Sequence, residues 1–221
     1  ESRAGKDSIG RQLEKYFELS PNHGKAYVTC KRYKFSKPVK DIANKMFGYA
    51  GVFPGSTYER SPNLRTMSLP MLGLSNVTEL WVKLGKFLTE IGEESMGRAC
   101  VAEVNKDVQK LYPKVGPGLK TGRTDIGVAV HVPVFTDLRR DVELKVLREK
   151  SYTEKPFFVK VVRDKQNTVK NKMDGLLTQE VWDMTIHNTG TEDTLKNIVY
   201  SNLIPELRKR VQALAQANQE K

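Results

Sequence analysis

Between residues 125 and 135, Ile126, Val128, Val130, Val132 and Val134 occupy one parity, and Gly127, Ala129, His131, Pro133 and Phe135 occupy the other. Successive side chains of an extended chain point to opposite faces, so a period of two over this length dictates a β-strand with one buried face. Pro133 has no amide hydrogen for a ladder, which predicts an edge or a bulge there. Over 141–146, Val142, Leu144 and Val146 alternate with Asp141, Glu143 and Lys145, joined to the first run through polar residues 136–140. The pair predicts an antiparallel hairpin. Phe157, Phe158, Val159, Val161 and Val162 follow Pro156 with only Lys160 intervening, which predicts a third strand buried on most of its surface.

A further strand is predicted over 26–35. Tyr27, Thr29, Lys31, Tyr33 and Phe35 share one face, and Ala26, Val28, Cys30, Arg32 and Lys34 share the other. Rings and bases side by side suit a platform on which single-stranded bases stack while cations meet phosphates. Tyr27, Tyr33 and Phe35 are the stacking candidates, and Lys31, Arg32 and Lys34 the phosphate candidates. The alternative is core aromatics beside solvated lysines. Ser36, Lys37 and Pro38 then open a helix with a capping hydroxyl and proline in the first turn. Its buried stripe is predicted to be Val39, Ile42, Ala43, Met46 and Phe47, with Gly48 closing it. Asp41 is the one acid between residues 25 and 45, so Lys37 and Lys40 extend a local excess of positive charge.

The stretch Ala43-Asn44-Lys45-Met46-Phe47-Gly48-Tyr49-Ala50-Gly51 resembles the helix-end motif of the eukaryotic single-strand annealing proteins. That resemblance implies binding of single-stranded DNA by a ring of subunits. Pro38 stands where that family carries a DNA-contacting arginine, and the strand meander that follows in the family has no counterpart here.

The rest of the chain predicts helices. Asp7 or Ser8 caps one with Ile9, Leu13, Tyr16 and Phe17 on its inner face, ending near Pro21. Residues 52–74, with Pro54, Gly55, Pro62, Pro70 and Gly73 beside Arg60 and Arg65, read as a long irregular arm that orders on RNA or on a neighbouring subunit. Over 76–91, Val77, Leu80, Trp81, Leu84, Phe87, Leu88 and Ile91 form a broad apolar face capped by Ser75, and a helix over 96–111 buries Cys100, Val104, Val108 and Leu111 before Pro113 ends it. A helical C-terminal region is predicted over 178–216. Thr178 starts a helix with Val181, Trp182 and Ile186, and Thr191, followed by Glu192 and Asp193, starts the last, which Pro205 kinks.

Composition narrows the functions open to such a chain. Its 221 residues carry 37 Lys+Arg against 26 Asp+Glu, a net charge of +11, and its pI is near 9.6. That balance favours a polyanionic partner through release of condensed counterions, nucleic acid first and an acidic membrane surface second. No apolar run is long enough to span a membrane. Cys30 and Cys100 are too few for a disulfide framework, which predicts a reducing compartment: cytoplasm, nucleus, organelle matrix or virion. The chain begins at Glu1, which leaves room for a removed leader.

Lys120 and Arg123, with Lys114, flank Gly116, Gly118 and Gly122 in a loop whose backbone can approach an anion, although no Gly-Lys-Ser/Thr follows as a P-loop requires. Arg163, Lys165, Lys170 and Lys172 mark a second basic loop. The run Gly122-Arg123-Thr124-Asp125-Ile126-Gly127-Val128 resembles the signature of the tRNA pseudouridine synthases, and that resemblance implies Asp125 as nucleophile with Arg123 paired to it. His23, His131 and His187 show no spacing to a serine or cysteine that marks a triad, and no metal or cofactor motif is present.

The expectation is a single α+β domain over 1–221, an antiparallel sheet of about four strands packed by helices. Its expected function is non-enzymatic binding of RNA or single-stranded nucleic acid within a ribonucleoprotein or nucleocapsid-like assembly. The alternatives are a coat-type assembly protein, a single-strand annealing protein and the Asp125 enzyme. Its partners are nucleic acid and copies of itself.

Overall fold

The computed structural model describes residues 5–23, 26–47, 68–111, 128–149, 155–163, 177 and 182–217, and the backbone of 112–115. The chain divides into two compact units, Glu1–Lys34 with Val101–Lys221, and Phe35–Cys100. The architecture is α+β, and the described strands form two small sheets.

In the first unit, α1 (Lys6–Leu19) leads through the short β1 (Asn22–His23) into β2 (Ala26–Tyr33). β1 pairs antiparallel with β2, while β2 pairs in parallel with β3 (Val128–Phe135), in continuous register from Ala26 opposite Val128 to Tyr33 opposite Phe135. The antiparallel arrangement expected for these strands is therefore corrected. A parallel pair cannot be closed by a tight turn and needs a long crossover, and the chain between Tyr33 and Val128 supplies one. Pro133 lies opposite Lys31 on β3, which among the described residues pairs with β2 alone, an edge position that accommodates a residue without an amide hydrogen.

The segment 141–146, expected as a strand, is helical: α5 spans Asp141–Glu149. Glu143 decides this. Its carboxylate accepts from the backbone N–H groups of Arg139 and Arg140, at 2.8 and 3.1 Å, and so satisfies amides that a helix start leaves without partners. Asp141 and Glu143 also oppose the positive end of the helix dipole. The apolar alternation was incidental, because Leu144 and Leu147, both buried, lie three apart on one helical face.

The second sheet pairs β4 (Val159–Arg163) in parallel with β5 (Met184–Asn188). β5 corrects the helix expected around Ile186, since Thr185 and His187 are exposed while Ile186 and Asn188 are buried, a period of two. The chain then forms α6 (Glu192–Ile198), a π-helical turn over Val199–Leu203, and α7 (Ile204–Ala217). Thr191 caps α6 as expected, its hydroxyl accepting from the Thr194 N–H. Pro205 has no N–H to return to the preceding turn, and the wider π turn stands just ahead of it.

Among the described residues of this unit, two apolar clusters form the core. Phe17, Ala26, Val28, Val211 and Ala215 join α1 and α7 to one face of β2. Ile9 and Leu13 of α1 meet Ile186, Leu195, Val199, Leu203 and Ile204 beneath the second sheet. α1 thus contributes to both. At Gly10 it lies close against β2: a Cβ there would stand 2.5 Å from Cδ of Arg32 and 2.8 Å from Cγ2 of Thr136.

The second unit contains α2 (Lys37–Phe47), a 3-10 turn at Pro70–Leu72, α3 (Val77–Ile91) and the start of α4 (Ser95–Val115). Its cluster is Ala43, Leu74, Val77 and Leu80, with Leu69, Trp81 and Leu84 packed against it. Asn76, rather than Ser75, caps α3, accepting from the Glu79 N–H at 2.9 Å while Glu79 accepts from the Ser75 N–H at 3.0 Å. Met46, Phe47, Phe87 and Ile91, expected on buried stripes, are exposed. Pro113 falls within the last turn of α4 rather than beyond its end. No helix among the described residues is long and apolar enough to cross a membrane.

Glu143 provides a test of how α5 is built. Burial pushes its carboxyl up to about 7 against the two amide bonds, so between about 4.5 and about 7 the folded state binds more protons than the unfolded one. Stability from this group is therefore complete at the acid side of that window and falls as pH rises through it. Glu143→Gln keeps an oxygen acceptor and does not titrate. In urea denaturation it should gain on the wild type by about 1–3 kcal/mol from pH 4.5 to 7.5; a constant difference across that range would show that Glu143 keeps its ordinary pKa.

Candidate nucleic-acid interface

The alternation along β2 sends its bases to opposite faces. Lys31 turns to α4, where its Nζ donates to Oδ2 of Asp107 at 2.6 Å and lies 4.0 Å from Glu103. Arg32 turns to α1, where its guanidinium pairs with Glu14 and its backbone N–H donates to the same carboxylate at 2.6 Å. Lys34 reaches Asp7 of α1 at 3.3 Å. Lys31, Arg32 and Lys34 do not form one patch, and each has an acid against it.

The rings are placed differently from the sequence expectation. Tyr33 and Phe35, expected as stacking candidates, are each 1% exposed, so neither ring presents a face to solvent. Tyr27 is half-buried on β2. In the second unit Lys37 pairs with Asp41 at 2.6 Å, and Nζ of Lys40 lies 5.1 Å from the centre of the Trp81 ring. Arg163 is exposed at the end of β4. Lys120, Arg123, Lys165, Lys170 and Lys172 lie outside the described residues, as do Asp125 and most of the arm expected over 52–74.

The best-defined polar arrangement in the first unit is a chain of hydrogen bonds beside β2. Tyr33 donates its hydroxyl proton to Oδ2 of Asp107 at 2.9 Å, and its oxygen lies 2.8 Å from Nε2 of His131. Nδ1 of His131 lies 2.8 Å from the hydroxyl of Thr29. One assignment satisfies every group: Thr29 donates to Nδ1, Nε2–H donates to Tyr33, and Tyr33 donates to Asp107. The imidazole in this chain is neutral. Burial lowers the His131 pKa, with Lys31 adding to the effect and Asp107 opposing it. Burial raises the Asp107 carboxyl, but hydrogen bonds from Lys31, Tyr33 and Lys110 outweigh it and bring the pKa down to about 2.

Sequence reasoning missed Asp107. The one available signal was its position on α4, seven residues after Cys100 and three after Val104, where a carboxylate interrupts an apolar stripe. The network contains no serine or cysteine nucleophile. Burial pushes the Cys30 thiol up to about 12, which leaves it unreactive at neutral pH. Among the described residues no group of three or more His, Cys, Asp or Glu side chains is placed to hold a metal ion. No protein-family model, curated protein or solved structure matches this chain.

Tyr33→Phe removes the hydroxyl through which His131 and Asp107 communicate and leaves the buried Nε2–H without an acceptor. The loss should be about 1–3 kcal/mol in urea denaturation at neutral pH. A change under about 0.5 kcal/mol would mean that water or another group takes the place of the hydroxyl.

Proposed function

We propose that this protein binds single-stranded nucleic acid, RNA in preference to DNA, without catalysis. The observation behind the reading is the net charge of +11 on a chain whose pI is near 9.6. A charge of that size and sign acts on a polyanion through counterion release and independently of sequence. Lys31, Arg32 and Lys34 are engaged by acids, so phosphate contact falls to exposed bases elsewhere: Lys160 on β4, Lys196 on α6, and Arg208 and Lys209 on α7.

Anisotropy of a labelled oligouridine, titrated with the protein at increasing salt, tests this. Binding at low salt that weakens steeply as salt rises, with oligouridine preferred over oligothymidine, is the expected result. No binding at low salt would end the proposal.

The exposed apolar side chains of the second unit favour a second reading, a coat-type protein that assembles with copies of itself. Met46 is 66% and Ile91 69% exposed, with Phe87 at 54%, and surface of that character is commonly covered by protein. Light scattering of nuclease-treated protein separates the two readings. Particles that grow with protein concentration alone support assembly, and a size change that requires added nucleic acid supports the binder.

A further inference from the structure

The π-helical turn buries Val199 and Leu203, four residues apart on one face, and leaves Tyr200 outward, 38% exposed, among other rings. Tyr16 of α1 meets Tyr200 edge to face, with centroids 5.8 Å apart. Tyr16 in turn stacks on His23 at 5.9 Å, and Phe17 meets the same imidazole edge on at 5.3 Å. Cations border this cluster. Nζ of Lys196, one helical turn before Tyr200, lies 6.0 Å from the centre of its ring. Burial lowers the His23 pKa, and the positive charge of Arg208 on α7 lowers it further. Glu206, the acid nearest Arg208 in sequence on α7, is held by Arg210 at 3.0 Å.

His23 supplies an independent observation. Its side chain is buried, with the residue 5% exposed, and among the described residues Nε2 meets no hydrogen-bond partner, although the ring also bonds to the backbone of Ser20. A hydrogen bond that favours the charged ring has the imidazole donating to that carbonyl, so Nε2 is left as an acceptor. A buried acceptor of this kind is completed by an ordered water or ion; the ring also stacks on Tyr16, which in turn meets Tyr200.

We infer that the surface formed by Tyr200, Tyr16, Lys196 and Arg208 is where a single-stranded nucleic acid docks, a base stacking on Tyr200 and phosphates meeting the two cations. The inference rests on the binding function proposed above and moves its interface from β2 to the junction of α1 with the π turn. Lys196, Tyr200 and Arg208 follow one another at intervals of four and eight residues, which spans roughly 18 Å of helix, enough for a few nucleotides. Exposed rings flanked by cations bind bases with little regard to sequence, since every base has a stacking face.

The test compares four proteins with the wild type in the anisotropy titration, using labelled oligouridine of about 15 nucleotides, with each fold checked by thermal denaturation. Lys196→Ala/Arg208→Ala should weaken binding and make the slope of log affinity against log salt shallower by about 1.4. Lys86→Ala/Lys106→Ala, which removes the same charge from exposed positions elsewhere, should do less. Tyr200→Ala should weaken binding by about fivefold or more, and Tyr200→Phe should stay near the wild type. If Tyr200→Ala does not fold, the two double variants decide. A wild type that binds while Lys196→Ala/Arg208→Ala matches the Lys86→Ala/Lys106→Ala control overturns this interface and leaves the binding function standing. A wild type that does not bind at low salt overturns both.

Discussion

The parallel ladder between β2 and β3 is the constraint on which the first unit depends. Its register sets which side chains share a face, and the faces have different work to do. Ala26 and Val28, with Val130 and Val132 beside them, pack on Phe17, Val211 and Ala215. Burial of this apolar surface drives the docking of α1 and α7. Thr29, Lys31 and Tyr33 lie on the opposite parity and bring the hydrogen-bond chain to His131 and Asp107. A slip of one residue would exchange these faces, turning Val28 away from Phe17 and the Tyr33 hydroxyl away from Asp107. Both the core and the polar chain oppose that slip, which is how register is specified when one face is buried.

The Asp7 carboxylate ties the end of this ladder to the start of α1. It accepts from the Thr136 hydroxyl at 3.0 Å and pairs with Lys34, so a residue in the first turn of α1 meets the chain leaving both strands. Burial raises its pKa, but the Lys34 charge and these bonds lower it overall. The carboxylate also lies at the positive end of the α1 dipole. Close approach of α1 to the sheet at Gly10 follows from the same anchoring.

Much of this was legible in the sequence. The parity of β2, the inner stripe of α1, the strand around Val128 to Phe135 and the Thr191 cap all follow from period and capping chemistry, which are local. The failures were of two kinds. At 141–146 a short apolar alternation also fitted a helix, and Glu143, three residues after Arg140, was the discriminating signal; a capping carboxylate without a Ser or Thr partner is a weak pattern to recognise. Around Ile186 the reverse happened, because a strand of five residues holds too little alternation to outweigh helix-forming neighbours. Parallel pairing was not legible at all, since nothing in either strand names its neighbour. Asp107 and Lys31 stand 76 residues apart and meet through the fold alone.

The same separation explains why charge read along the sequence differs from charge as the fold arranges it. The stretch from 25 to 45 holds a dense run of bases and one acid, which suggests a strong local field. In the folded chain Glu14, Asp7 and Asp107 arrive from other elements and set a carboxylate beside each of Lys31, Arg32 and Lys34. Each partly exposed pair adds little to stability, yet together they cancel much of the field a phosphate would feel at that strand. The net charge of the whole chain is unaffected, because those acids are already counted in it. Positive potential is thus shifted toward bases whose acidic neighbours are engaged elsewhere. Arg208 is one of these, because Glu206 is taken up by Arg210, which also stacks over Phe157 at 4.4 Å.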